Sequence, residues 1–269
     1  MTTELGSTER GTLLRWAKQA EHSPEFAREV VQLVDAALVE GGDPAAAEQV
    51  DREPDSINPG RSRVEFISVR GRPMVLRHYC RGGMMRHVVR DSFFRLPLSG
   101  AIRDPHYRPF EEISILELLR ECGVSVPSPV VGAVKHICAG WAYRAVIVTE
   151  ELPDVQNLLF LSLTAKLQPE EQTVVAELCR KAGEEAAKMV AQQVSHPDLH
   201  LGNVLVQGGS RVVLIDFDRA NFLRADPGGE DAAKERIRQA LIARWNRSLV
   251  KHGVGEFIAD SFEAGLRGC

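Results

Sequence analysis

Two aspartates and an asparagine, spaced along a short C-terminal stretch, are the residues of this chain whose types and order best suit chemistry. The stretch is His196-Pro-Asp198-Leu-His200-Leu-Gly-Asn203, and Asp216-Phe-Asp218 begins thirteen residues after Asn203. The pattern is H-x-D-x-x-x-x-N followed by D-F-x. Asp198 would accept the proton of an attacking hydroxyl. Asn203, one loop turn further on, would hold a metal ion. Two apolar runs, Val204–Val206 and Val212–Ile215, would pair as a hairpin and return Asp216 beside Asn203. There Asp216 would hold metal across the β and γ phosphates of a nucleotide. Phosphoryl transfer depends mostly on positioning and charge neutralisation, so one base and two metal ligands on rigid elements are the minimum set. D-F-D alone would be turn chemistry. Both motifs in order, each beside an apolar strand-like run, form the signal.

The motif pair resembles the catalytic and metal-binding loops of protein-kinase-like phosphotransferases. Such enzymes add a strand cation, a glutamate on the following helix to orient it, and a loop over the phosphates. No lysine stands between Lys18 and Lys135, and in Met74-Val-Leu-Arg77-His-Tyr79 the corresponding position falls on Arg77. An arginine can clamp phosphate through two parallel hydrogen bonds. Glu112 is its expected partner, ahead of Glu111 and Glu117. Asn58-Pro-Gly60-Arg61-Ser62 stands in for the phosphate loop, with one glycine and not three. Glu150-Glu-Leu-Pro-Asp154 would be the hinge, placing Glu150 on the nucleotide side. His196 is expected to pack under the catalytic loop and bond backbone. His200 is placed to touch the transferred phosphate. Neither suits Mg²⁺, a hard ion that prefers oxygen.

The elements needed to hold these residues are readable in outline. Residues 8–40 read as helix, with Ser23-Pro24-Glu25 as a start signal, Phe26, Val30, Leu33, Val34 and Ala37 at helical spacing, and Gly41-Gly42 as its end. From residue 61 the pattern turns to strands: Arg63–Val69 and Pro73–Tyr79, turning at Gly71-Arg72. An amphipathic helix over 110–120 follows, closed by Gly123. The connector Val126-Pro-Ser-Pro129 and a hairpin of Val130–Ile137 with Tyr143–Glu150 come next. A long helix over Pro169–Val194 leads into the catalytic loop, and 229–250 is another helix with a basic side. The expected class is α+β: a protein-kinase-like two-lobed fold, with a helical extension over 1–55, a β-rich N-lobe over 56–150 and a helical C-lobe over 151–269.

Composition narrows the partners. Of 269 residues, 44% are hydrophobic and 26% charged, and the net charge is −4. That is ordinary for a water-exposed globular chain and does not point to nucleic acid. Arginines nonetheless crowd the stretch from Arg61 to Arg108, which would suit nucleotide, phosphorylated lipid or an anionic membrane surface. The five cysteines form no C-x-x-C pair, so neither a zinc site nor a disulfide framework is expected, and a reducing cytosol fits. The first residues carry no apolar signal core, and no run reaches the ~18 apolar residues of a membrane span. Any membrane contact would be peripheral.

At Val75-Leu-Arg-His-Tyr-Cys-Arg81-Gly82-Gly83 the chain resembles the lipopolysaccharide kinases, above all those acting on 3-deoxy-D-manno-octulosonic acid (Kdo). That family carries a V-L-R-H-Y-x-R-G-G segment in place of the strand lysine. Its R-x-F-x-E helix start matches Arg108-Pro-Phe-Glu-Glu112, and its connector matches Gly123-Val-Ser-Val-Pro-Ser-Pro129. The likeness covers roughly residues 58–222. It implies ATP-dependent phosphorylation of a sugar hydroxyl on the Kdo of a lipid A precursor, with Mg²⁺, at the cytoplasmic face of an inner membrane. It implies Asp198 as base, Asn203 and Asp216 as metal ligands and Arg77 in place of the lysine. Arg81, Gly82 and Gly83 would lie near phosphates or acceptor. Residues 1–55 have no counterpart. Asp198-Leu-His-Leu-Gly-Asn203 also resembles the D-L-H-x-G-N loop of aminoglycoside and choline phosphotransferases, a second reading. A third is a binding module on a kinase scaffold, which would not need a base and two metal ligands. Protein kinase activity fits poorly, since no A-P-E segment follows Asp216.

Overall fold

The computed structural model describes residues 5–8, 11–18, 23–39, 64–79, 93–94, 107–137, 142–223, 229–255 and 258–268. Gly60, Arg61, Arg81, Gly82, Gly83, the Gly41-Gly42 helix end and most of the arginine-rich stretch lie outside the described residues. The chain divides into two compact units, Met1–Ser114 with Ser128–Glu151, and Ile115–Pro127 with Leu152–Cys269.

The first unit is an antiparallel sheet with a helix against it. Its strands are β1 (Leu5–Ser7), β2 (Thr12–Trp16), β3 (Val64–Val69), β4 (Arg72–His78), β5 (Phe93–Phe94), β6 (Pro129–Ile137) and β7 (Ala142–Glu150). They run in the order β1-β2-β6-β7-β4-β3, with β5 also paired to β7. Tight turns explain the hairpins. Gly71, at φ +76°, lets β3 fold back on β4, a conformation other residues adopt only with strain. The helix α1 (Pro24–Ala37) is capped by Ser23, whose Oγ accepts from the Phe26 N–H at 3.2 Å. Phe26, Val30, Leu33 and Val34 form its buried stripe and join Ile67, Met74, Leu76, Val131 and Val148 in one core.

The spacing predicts one helix over residues 8–40, but the structure has a strand before the helix. Thr12–Trp16 is a strand, paired with β6 from Thr12↔Lys135 to Trp16↔Val131. Gly11 stands at φ +74°, the Thr8 N–H donates to the Thr12 carbonyl at 2.9 Å, and the Thr12 N–H donates to the Thr8 hydroxyl at 3.1 Å. Thr12 and Leu14 point inward while Leu13 and Arg15 are less buried, so the period over this segment is two and not 3.6. Thr12 also donates its hydroxyl to buried Asp35, fastening the end of α1 to the sheet.

The helix α2 (Arg108–Glu121) carries the boundary between the units at Ser114. Gly123 closes it at φ +73°, and the Val124 N–H returns to the Leu119 carbonyl at 2.8 Å. The second unit holds β8 (Val155–Asn157), α3 (Leu158–Leu167), α4 (Gln172–Ala191), β9 (Val194–Ser195), β10 (Val204–Gln207), β11 (Arg211–Leu214), β12 (Asn221–Phe222), α5 (Gly229–His252) and α6 (Ser261–Arg267). The long helix expected over Pro169–Val194 is therefore shorter. A 3-10 turn occupies Pro169–Glu171, and Val194 belongs to β9. The expected hairpin is present: β10 and β11 pair from Val204↔Leu214 to Gln207↔Arg211.

The helices α4 and α6 touch backbone to backbone. A Cβ on Gly265 would sit 1.9 Å from the Arg180 carbonyl oxygen, and one on Gly183 would sit 2.1 Å from that of Phe262. Neither obstacle is a flexible side-chain end, so the helices would have to separate. The Trp245 ring stacks on Phe262 at 4.1 Å between centroids, and this packing would part with them. Gly265→Ala is expected to destabilise the protein by about 3 kcal/mol, read as a lowered urea midpoint at unchanged slope. A midpoint equal to that of the parent would show that the crossing is not this close.

Candidate active site

Three strand pairings hold the loop between β9 and β10. β12 pairs with β9, β11 with β10, and β8 with β10. The loop is then tied internally. Asn203 N–H donates to the His200 carbonyl at 2.8 Å, and Leu199 N–H to that of His196 at 3.1 Å. The Asn203 side-chain Nδ2 donates to the Asp198 carbonyl at 3.0 Å. That bond commits Nδ2 as donor and leaves Oδ1 as the acceptor end of the amide. Ile215 N–H donates to the Asn203 carbonyl at 3.0 Å, which places the residue before Asp216 against the loop. Asp198, Asn203 and Asp216 are thus gathered in the second unit by bonds to the Asp198 and Asn203 backbone carbonyls.

Asp216 stands in the left-handed region at φ 65°, ψ 61°. A non-glycine residue there carries strain, tolerated best by Asn and Asp, and such outliers concentrate at functional positions. Phe217, just after it, is buried against His196 at 4.7 Å between ring centroids.

His196 is fully buried, and its Nε2–H donates to the Ile215 carbonyl at 3.0 Å. Burial depresses its pKa. His200 uses Nδ1 to accept from the Gly202 N–H at 3.0 Å, capping the short turn Leu201–Asn203. Its proton therefore sits on Nε2, the nitrogen it can offer to a phosphate oxygen. Burial first, and then the nearby Arg244 charge, push the His200 pKa down to about 4. Both rings stay neutral near neutral pH, so His200 brings a hydrogen-bond donor and no charge.

A pH dependence of stability follows. On unfolding, each histidine regains a pKa near 6.5. Below that pH the unfolded chain binds more protons than the folded one, so stability falls as pH drops. The His200 contribution is fully present above about pH 6.5 and is lost towards pH 4. Urea unfolding over this window is expected to show a smaller loss of midpoint in His200→Asn than in the parent. Identical pH slopes would mean that His200 is not held neutral.

Asp198 has two cationic neighbours that the sequence reading missed. Arg219 Nη1 lies 3.2 Å from Oδ2, and Arg244 Nε lies 3.7 Å from Oδ1. Arg219 follows the Asp216 turn directly, and Arg244 was visible only as part of the basic side of α5. Asn157 was also missed. Its Oδ1 caps α3 by accepting from Leu159 N–H at 2.9 Å, while its Nδ2 donates to the Gly202 carbonyl at 2.9 Å. An Asn directly before an apolar helical run was the readable signal for that cap.

In the first unit the structure brings Arg77 and Glu112 together. Arg77 Nη2 donates to both carboxylate oxygens of Glu112, and the Tyr79 hydroxyl donates to one of them. The side chains are 14% and 5% exposed, so the pair is largely withdrawn from water. The guanidinium also stacks over the Tyr79 ring at 5.1 Å. Glu111 is exposed, which separates it from Glu112 as a partner. Glu150 ends β7 and pairs with Arg72 at 2.7 Å, with both side chains 44% exposed.

The donors suit magnesium. An asparagine carbonyl and a carboxylate are hard oxygen ligands, and Mg²⁺ is commonly held by one or two protein oxygens together with substrate phosphates. Among the described residues no group of three or more His, Cys, Asp and Glu side chains forms an all-protein metal cage. Also among them, no helix is long and apolar enough to cross a membrane.

The family model described as "Lipopolysaccharide kinase (Kdo/WaaP) family" matches residues 51–253. The 3-deoxy-D-manno-octulosonic acid kinase of Vibrio cholerae serotype O1 is 34% identical over 196 residues, covering 72% of this chain and 74% of that protein. The enzyme of the same name from Vibrio vulnificus strain YJ016 is 30% identical over 209 residues, covering 78% and 80%. Among solved structures, WaaP in complex with acyl carrier protein matches with a TM-score of 0.54 at 19% identity, over 86% of this chain and 84% of that one. The fold is protein-kinase-like, β-rich in its first unit and helical in its second.

Proposed function

Since this chain belongs to the lipopolysaccharide kinase (Kdo/WaaP) family and is a kinase, we propose that it moves the γ-phosphate of ATP to a hydroxyl of the Kdo sugar on a lipid A precursor. The observation that carries the reading is the joining of Asp198, Asn203 and Asp216 around one hydrogen-bonded loop. Asp198 takes the proton of the acceptor hydroxyl as its oxygen bonds the γ-phosphorus. The bond to the bridging oxygen breaks, and ADP leaves with the electron pair. Asn203 Oδ1 and the Asp216 carboxylate would hold Mg²⁺, which would supply charge neutralisation at the phosphates. Arg77 supplies a phosphate cation, and Glu112 with Tyr79 fixes where its guanidinium points. A withdrawn ion pair is poor evidence for stability alone, which favours a functional reason for keeping it.

His200 offers Nε2–H to the moving phosphoryl group. Glu150 and the residues Gly60 and Arg61 belong to the nucleotide side in this reading, and Arg81, Gly82 and Gly83 to phosphate or acceptor. The protein works at the cytoplasmic face of the inner membrane through peripheral contact with anionic lipid. Val250, 83% exposed between Arg247 and Lys251 on α5, is the kind of apolar and cationic surface such contact uses.

The loop likeness to aminoglycoside and choline phosphotransferases gives a second reading. Arg219 and Arg244 beside Asp198 oppose it, because cationic acceptors would meet two like charges at the base. Steady-state kinetics across Kdo-bearing lipid, aminoglycosides and choline decide between them. The Kdo lipid is expected to give the highest kcat/KM. A higher value for an amino sugar would replace the first reading with the second.

A further inference from the structure

We propose that Arg219 and Arg244 form an anion-binding subsite for the acceptor, taking a carboxylate that the sugar carries close to the hydroxyl addressed by Asp198. This rests on the acidic-sugar reading above and adds to it the residues that would select such a sugar.

Three observations carry it. First, the two guanidiniums approach Asp198 from different elements, Arg219 from the turn after Asp216 and Arg244 from the middle of α5. Second, both contacts are loose. Charge-assisted N–H···O bonds close to about 2.7–2.9 Å, while these stand at 3.2 and 3.7 Å. Arg219 is 52% exposed and Asp198 34%, and ion pairs this open to water hold weakly. Third, a guanidinium carries five N–H donors, and among the described residues Asp198 is the sole acidic partner of either arginine. Most of that donor capacity is not taken up by the described residues.

The chemistry of the step supplies the reason. A base needs an oxygen open to the incoming hydroxyl, and two arginines resting on its carboxylate compete for it. An acceptor bearing its own carboxylate gives the guanidiniums a better partner in fork geometry. Redirecting them costs little, because the resting contacts are weak. The acid sugar then draws both guanidiniums away from Asp198 while gaining their hydrogen bonds, which favours it over neutral sugars. The neutral His200 ring adds no competing charge.

The test uses Arg219→Ala and Arg244→Ala, each beside its Lys counterpart, in the full chain. Two acceptors are compared: the Kdo-bearing lipid A precursor and the same molecule with the sugar carboxylate converted to its amide. Nucleotide affinity serves as the check on folding. Each Ala variant is expected to raise KM for the acidic acceptor roughly 10- to 100-fold. The parent is expected to show a similar rise with the amide acceptor, to which the Ala variants add little. Lysine should restore part of the loss. An equal fall of kcat on both acceptors with KM unmoved would show that the arginines only orient Asp198, and would overturn the proposal while leaving the kinase reading intact. A parent protein that neither binds nor phosphorylates the acid lipid would overturn the acceptor reading, and the subsite with it.

Discussion

Asp198→Asn is expected to bind ATP as tightly as the parent and to turn over about 10²- to 10⁴-fold more slowly, the usual range for removing a general base. The substitution keeps size and shape, so the loop should close as before. Its internal bonds use the backbone carbonyl of Asp198, which accepts from Asn203 Nδ2, and not its carboxylate. The contacts to Arg219 and Arg244 stand at 3.2 and 3.7 Å on a carboxylate 34% exposed, so their loss should cost little stability. Rate and fold are therefore separable at this residue. Single-turnover transfer with saturating ATP gives the rate, and nucleotide titration gives the affinity. Turnover within about tenfold of the parent would remove Asp198 from the base role.

Asp216 should behave differently, because both its carboxylate and its backbone matter. Asp216→Ala is expected to lose affinity for magnesium–ATP and to slow transfer by about 10²-fold or more, with little change for metal-free ATP. The backbone at φ 65° adds a second signature. Left-handed geometry costs an ordinary L-residue about 1–2 kcal/mol, and glycine almost nothing. Asp216→Gly should therefore be as inactive as Asp216→Ala yet unfold at higher urea than it. A glycine variant no more stable than the alanine variant would mean that the turn relaxes without strain. An alanine variant with normal magnesium dependence would take Asp216 out of the metal site.

How far the site was legible depended on sequence distance. Asp198, Asn203 and Asp216 lie on one loop and one short hairpin, and the two apolar runs that became β10 and β11 announce the return of the chain. Local spacing was enough. The meeting of Arg77 with Glu112 could be anticipated only through the order strand, strand, helix, because a cation on a strand and an acid on the next helix are brought together by packing. Arg219 and Arg244 could not be read at all as neighbours of Asp198, since no local pattern ties the middle of α5 to the catalytic loop. The Gly183 and Gly265 crossing was hidden for the same reason: a small residue matters only once its partner helix is known.

The fold was clearest where one period dominated. β3, β4, β6, β7 and α2 followed their apolar spacing and turn residues to within a residue or two. Thr12–Trp16 failed because Leu13, Leu14 and Trp16 satisfy a helical stripe nearly as well as an alternating one over so short a run, and Gly11 was the only breaker. α3 is not legible in the sequence because Leu158-Leu-Phe-Leu is apolar all round, a pattern that does not distinguish strand from buried helix. Its Asn157 cap was the better signal.

The most direct test of the central claim is the mass of a Kdo-bearing lipid A precursor after incubation with the purified protein, ATP and magnesium, with the Asp198→Asn protein run beside it. The account predicts one added phosphate on the Kdo sugar with the parent and almost none with the variant over the same time. An unmodified lipid, with phosphate appearing instead on an aminoglycoside or on choline, would contradict it.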